Sequence, residues 1–252
     1  MSSEYPEHAD QPTATPLTLP PPPEPAAATQ PRPAHIYHYQ RSTVADTWGW
    51  LWKDSLQRLL PFAAASAVYA RVSGEGARTL GLTREGWRRD ALLGIGLGMP
   101  LAGVAAAFRG WVAPSYRLPT PADQAVQTTY YLGLNGPIEE LFWRGVVQAL
   151  AVRALGRLPV PGRSAALAGW ALTTAIFGAY HRLGNWSWRS IAGVTAAGGL
   201  FGALYLASGR RRSLLPAIIV HGFMTAGFLS WGDAALHARA ARRIARSLRG
   251  AH

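Results

Sequence analysis

The chain has 252 residues, of which 49% are hydrophobic and 15% charged, with ten tryptophans and no cysteine. The lack of cysteine excludes disulfides, thiolate zinc sites and a cysteine nucleophile. The formal charge of +12 comes almost wholly from arginine, and Lys53 is the single lysine. The arginines fall between apolar runs and in the tail from Arg239 to Arg249. This placement favours loops beside anionic lipid headgroups over a nucleic-acid-binding face, so we expect no nucleic-acid partner.

The beginning of the chain is rich in proline, as in the run from Leu19 to Pro25. A segment of this composition cannot bury a core, so we predict a disordered tail at residues 1–40. The same stretch lacks the basic region and the apolar run of a signal peptide. We therefore expect the internal apolar segments to direct membrane insertion.

The middle of the chain is a series of apolar segments separated by arginine-rich loops. The segment from Ala45 to Val72 is the least apolar, and its clustered tryptophans favour the membrane interface. It is split by four polar residues, Lys53, Asp54, Gln57 and Arg58. We predict an interfacial helix or short span followed by a loop at residues 41–89.

The later apolar segments approach the roughly 20 residues that a helix needs to cross a bilayer. They run from Ala91 to Phe108, from Gln124 to Val152, from Ala165 to Tyr180, from Ile191 to Ala207 and from Leu214 to Trp231. The pattern predicts an all-α protein, a polytopic transmembrane helix bundle. Its core is expected at residues 90–232, with a basic tail at residues 233–252.

Two carboxylates and a guanidinium interrupt the apolar segment from Gln124 to Val152. Each ionisable group in a bilayer costs roughly 2.5 to 3.5 kcal/mol, so such groups indicate a functional site. Glu140 and Arg144 stand four residues apart on one helix face and are expected to form an ion pair. Glu139 is turned about 100° away from them and has no obvious partner in its own helix. Pro137 is expected to kink the helix just before Glu139.

Two histidines lie in other apolar segments, His181 after Phe177 and His221 in the last segment. A single histidine in apolar sequence is more often a hydrogen-bonded packing residue than a catalyst. A glutamate pair and two histidines from three segments converge only in the interior of a helix bundle. A carboxylate and an imidazole can then make a shared water nucleophilic, while a second imidazole donates to the developing oxyanion. This set is typical of peptide hydrolysis by activated water.

In this order the residues resemble the motifs of a known family. Glu139-Glu140-x-x-x-Arg144, Phe177-x-x-x-His181 and His221 are similar to the Glu-Glu-x-x-x-Arg, Phe-x-x-x-His and His-x-x-x-Asn motifs of the CPBP intramembrane proteases. This family includes the type II CAAX prenyl endopeptidases and the Abi proteins associated with bacteriocin self-immunity. The likeness covers roughly residues 124–231.

The resemblance implies an intramembrane endopeptidase of the glutamate type, acting on a membrane-associated protein or peptide. Glu139 would be the general base that activates water together with His181, and His221 would stabilise the oxyanion. Glu140 and Arg144 would form a structural ion pair, and Phe177 would pack beside the site. The abundance of Arg, Ala, Gly and Pro indicates GC-rich coding, so we expect a bacterial plasma-membrane protein.

One position departs from the family pattern. Thr225 stands four residues after His221, where the family usually has Asn or Asp. A threonine hydroxyl on the same helix face donates one hydrogen bond. Because losing one oxyanion donor costs about 100-fold to 1000-fold in rate, a slow enzyme or a pseudoenzyme stays open as an alternative.

Other functions also stay open. A zinc-dependent protease would use Glu139, His181 and His221 as ligands. We expect no required cofactor, since the chain has no His-Glu-x-x-His pair and the glutamate mechanism needs no metal. A noncatalytic membrane scaffold or self-immunity protein would keep the fold and the ion pair. A transporter would use the same groups to relay protons, but transporters usually show internal repeats and more spans.

Overall fold

The structure is a computed structural model that describes residues 44–74, 76–78, 80–112, 120–159, 161–184, 186–209, 212–232 and 246. The predicted tail at residues 1–40 lies outside these residues, as does all of the predicted basic tail at 233–252 except Arg246. All regular secondary structure in the described residues is helical, which confirms the all-α prediction.

The described helices form six consecutive segments. The first consists of α1 (Val44–Asp54), a π-helical turn (Ser55–Leu59) and α2 (Leu60–Ser73), and the second is α3 (Trp87–Val112). The third consists of α4 (Pro121–Tyr130), a π-helical turn (Tyr131–Asn135), α5 (Gly136–Glu140), a second π-helical stretch (Leu141–Gln148) and α6 (Ala149–Leu155). Then follow α7 (Gly162–Tyr180) with a 3-10 turn (His181–Gly184), α8 (Trp188–Ala207), and α9 (Leu215–Ala226) with a π-helical end (Gly227–Trp231).

The helices extend beyond the apolar segments of the sequence. Helix α3 begins at Trp87, within the predicted loop, because the apolar run marks only part of a helix whose first turn is polar. Asp90 lies in that first turn, where a carboxylate interacts favourably with the helix dipole. A kink of the helix was expected at Pro137, and the structure shows a π-helical turn at Tyr131–Asn135, just before this proline. Proline has no backbone N–H, and the N–H of the preceding residue, Gly136, donates to the Tyr131 carbonyl in π-helical register.

Helices α3 and α9 pack against each other more extensively than any other described pair. They run parallel, since Gly94 faces Ile219 and Gly98 faces Phe223. A Cβ atom added at either glycine would lie 2.8 Å from the facing side chain. The two glycines therefore permit a close helix approach of the kind that is common in membrane proteins.

Two of the described helices, α3 and α8, are long and apolar enough to cross a membrane. Only 22% of the most apolar stretch of α3 and 39% of that of α8 are buried, whereas an all-apolar helix of a water-soluble protein lies in the core. The outer face of α3 exposes large apolar side chains, Leu92, Ile95, Met99 and Val104. Such exposure is expected of a helix that faces lipid. That these two helices and the other apolar segments span the bilayer stays a prediction.

Candidate active site

A cavity of about 440 Å³ lies between the helices and collects most of the predicted site residues. Its lining includes five of them, from three different helical segments: Glu139, Phe177, His181, His221 and Thr225. Glu140 and Arg144 lie fully buried beside these residues. The rest of the wall is mainly apolar and aromatic, so the cavity can hold an apolar chain next to a small polar group.

The second glutamate is the centre of a buried polar cluster. Arg144 Nη1 donates to Glu140 Oε1 at 3.0 Å, so the ion pair predicted from the four-residue spacing is present. His221 Nδ1 lies 2.6 Å from the same oxygen. A carboxylate oxygen facing an arginine only accepts, so the His221 hydrogen is on Nδ1. Glu140 therefore orients both the guanidinium and the imidazole.

Arg144 is enclosed on all sides by the bundle. Its Nη2 donates to the Gly198 carbonyl at 2.6 Å, and this hydrogen bond links α8 to the third helical segment. Its guanidinium carbon lies 4.7 Å from the centre of the Phe177 ring and 5.4 Å from that of Phe201. Phe177 thus packs beside the site, and the aromatic faces add cation–π attraction to the ion pair.

The first glutamate has partners that the sequence did not suggest. We expected no obvious partner for Glu139 in its own helix, and this was wrong, because Asn135 Nδ2 donates to Glu139 Oε1 at 2.9 Å. The π-helical turn at Tyr131–Asn135 still leaves these two side chains on one face. Arg58, from the first helical segment, forms an ion pair with the same oxygen. The other oxygen, Oε2, lies 3.9 Å from His221 Nε2, beyond direct hydrogen-bonding range.

Arg58 belongs to a second buried ion pair. Its Nε and Nη2 donate to the two carboxylate oxygens of Asp54 at 2.7 and 2.6 Å. Tyr130 donates to Asp54 Oδ2 at 2.6 Å. The pair could have been found in the sequence, since Asp54 and Arg58 stand four residues apart in an apolar segment, as do Glu140 and Arg144.

The His181 ring is held in one orientation at the end of α7. Its Nδ1 lies 2.8 Å from the Phe177 carbonyl, which can only accept. The hydrogen is therefore on Nδ1, and Nε2 is the basic nitrogen of the ring. Trp186 packs edge-on against the imidazole, with 5.0 Å between the ring centres. Thr225, one turn after His221, is half-buried in the cavity wall.

The described residues contain no group of three or more His, Asp or Glu side chains placed to hold a metal ion. In particular, Glu139, His181 and His221 line one cavity without forming a ligand set. The residues as placed do not fit a zinc site.

One family model matches the part of the chain that builds this site. Residues 121–227 match the model described as "Type II CAAX prenyl endopeptidase Rce1-like". The matched stretch contains helices α4 to α9 and is similar to the type II CAAX prenyl endopeptidases that this model describes. Proteins of that family are membrane-embedded, and two of the described helices, α3 and α8, are long and apolar enough to cross a membrane. No curated protein and no solved structure matches the chain.

Proposed function

We propose that the protein is an intramembrane endopeptidase that hydrolyses a peptide bond of a membrane-associated substrate with water activated by Glu139 and His181. The observation that carries this proposal is the shared cavity, which brings one carboxylate and two imidazoles from separate segments to one apolar space. The expected location is the plasma membrane of a bacterium.

Hydrogen bonding supports distinct roles for the two histidines. With its proton on Nδ1, His181 presents the basic Nε2, which together with Glu139 can take up the proton of an attacking water. His221 has its Nδ1 hydrogen directed at Glu140, and Nε2 faces Glu139. When His221 takes up a second proton, Nε2 becomes a donor to the oxyanion and Glu140 balances the new charge.

The charge count of the site is consistent with a mobile proton. Among the described residues, the buried ionic side chains around the cavity are three carboxylates and two guanidiniums: Asp54, Glu139, Glu140, Arg58 and Arg144. One added proton would make this cluster neutral, and neutrality reduces the desolvation penalty of buried charge.

Purified protein in liposomes should cleave an internally quenched fluorescent peptide that ends in a CAAX sequence. The peptide is supplied in two forms, farnesylated and unprenylated. His181→Asn should lower kcat about 100-fold or more, because asparagine can keep the bond to the Phe177 carbonyl but lacks the basic Nε2. Cleavage should persist with a zinc chelator. Chelator-sensitive cleavage would move the assignment to the zinc-dependent alternative, and equal rates for wild type and variant would contradict the proposed site.

Variants of Thr225 distinguish a protease from a noncatalytic scaffold. If its hydroxyl donates to the oxyanion, Thr225→Val should lower kcat about 100-fold while keeping the side-chain volume. Thr225→Asn should keep or raise kcat, since an amide donor then extends further into the cavity. The same quenched-peptide assay measures both variants. An inactive wild type together with an inactive Thr225→Asn variant would favour the scaffold.

A further inference from the structure

We propose that Arg58 is a positioning residue of the active site, which fixes Glu139 so that a single carboxylate oxygen faces the reacting water. Arg58 lies outside the matched stretch at residues 121–227, in the first helical segment. Its role rests on the proposed function of Glu139 as general base. The first segment would then be part of the catalytic apparatus rather than an added membrane anchor.

The two carboxylate oxygens of Glu139 have different contacts. Oε1 receives both donors, Arg58 Nη1 and Asn135 Nδ2. Oε2 lies on the side of His221 Nε2, 3.9 Å away. An oxygen that accepts from a guanidinium and an amide is poorly available to a third donor. Oε2 is therefore the oxygen that takes the proton when the O–H bond of water breaks and the hydroxide oxygen bonds to the substrate carbonyl carbon.

Arg58 is itself held in place. Asp54 binds one edge of the guanidinium, through Nε and Nη2, and Nη1 on the other side is directed towards Glu139. Tyr130, in α4, donates to Asp54 and links the first segment to the third. This bidentate geometry holds the guanidinium more firmly than a flexible ammonium group would be held, so lysine can replace arginine here only in part.

The ion pair between Arg58 and Asp54 also suits the role of Glu139 as a base, because the charge of Glu139 changes during the reaction. When Oε2 takes up a proton, Glu139 becomes neutral and Arg58 loses the charge of one partner. Its pairing with Asp54 continues, so no unpaired guanidinium is left in the bundle. Oε1 can stay within reach of Asn135 and Arg58 throughout, which keeps the carboxyl group in its orientation.

The test compares kcat and KM for variants of the full-length protein in liposomes. Arg58→Gln alone would leave Asp54 as an unpaired buried charge, so the informative variant is the double substitution Arg58→Gln with Asp54→Asn. It should unfold cooperatively, lower kcat about 100-fold and leave KM within about threefold, because misplacing a catalytic group by about 1 Å has an effect of that size. Arg58→Lys should recover part of the lost kcat, since the charge is kept.

Arg78→Gln is the matched control, because it removes an exposed guanidinium from a surface pair with Glu85. It should keep the wild-type kcat. A double variant with wild-type kcat would overturn the role of Arg58 while leaving the proposed function intact. A fall in kcat that Arg58→Lys does not reverse at all would also overturn it, because the loss would then come from packing. Equal rates for wild type and His181→Asn would instead show that the proposed function has failed.

Discussion

Glu139→Gln should abolish cleavage while leaving the protein folded. Glutamine keeps the shape and an oxygen that can accept from Asn135 and Arg58, but its amide cannot take a proton from water. General-base catalysis contributes about 100-fold to 10,000-fold, so kcat should fall by at least about 100-fold. Stopped assays of peptide cleavage measure the loss, and thermal unfolding in detergent checks that the variant remains folded.

Glu140→Gln is the matched comparison, because it makes the same chemical change at the adjacent position. Glu140 Oε1 accepts from Arg144 and lies beside His221 Nδ1, so this substitution should lower the unfolding temperature as well as activity. The two variants should therefore separate loss of catalysis from loss of stability. Full activity of Glu139→Gln would mean that another group activates the water.

The sequence predicted the part of the site that depends on short spacing. Glu140 and Arg144 lie one helical turn apart, and any helix brings them together whatever the rest of the fold does. Phe177 and His181 have the same spacing, and the structure adds a hydrogen bond between the imidazole and the Phe177 carbonyl. The convergence of the glutamates and histidines could also be predicted, since a low-dielectric bundle has few places for ionisable groups.

The long-range partners could not be predicted in this way. Arg58 and Glu139 are far apart in sequence, and their contact depends on how the first segment packs on the third. Side-chain hydrogen bonds between Thr47 and Asp123 and between Asp54 and Tyr130 join these two segments. Neither follows from periodicity, because each joins residues of different helices.

The prediction for Glu139 was right about its direction and wrong about its partners. The 100° per residue of an α-helix predicted that Glu139 would point away from Glu140 and lack a partner in its helix. The two side chains do meet different groups, Arg58 and Asn135 for Glu139, and Arg144 and His221 for Glu140. The contact with Asn135 spans four residues, the spacing at which any regular helix places two side chains on one face, and the prediction overlooked it. The contact with Arg58 joins two helical segments, so a helical wheel cannot show it.

Arg144→Ala should cause the largest loss of stability of any substitution considered for this protein. The side chain is 1% exposed, and its removal leaves the Glu140 carboxylate without its cation in the interior. Breaking one side of a buried ion pair costs about 3 to 5 kcal/mol, and here the Gly198 carbonyl also loses its donor. Thermal unfolding in detergent should show a large fall in midpoint. Arg153→Ala, which removes a half-buried guanidinium stacked on Tyr69, should change the midpoint little.

A double variant, Arg144→Met with Glu140→Gln, tests whether the loss comes from the stranded charge. With both charges removed, no unpaired carboxylate remains, and methionine fills part of the space between Phe177 and Phe201. The midpoint should therefore recover most of the difference from wild type. Activity should not recover, because His221 then faces an amide instead of a carboxylate and nothing balances its second proton. Wild-type stability of the single variant Arg144→Ala would mean that the buried ion pair contributes nothing to folding. Another group would then have to balance the charge of the Glu140 carboxylate.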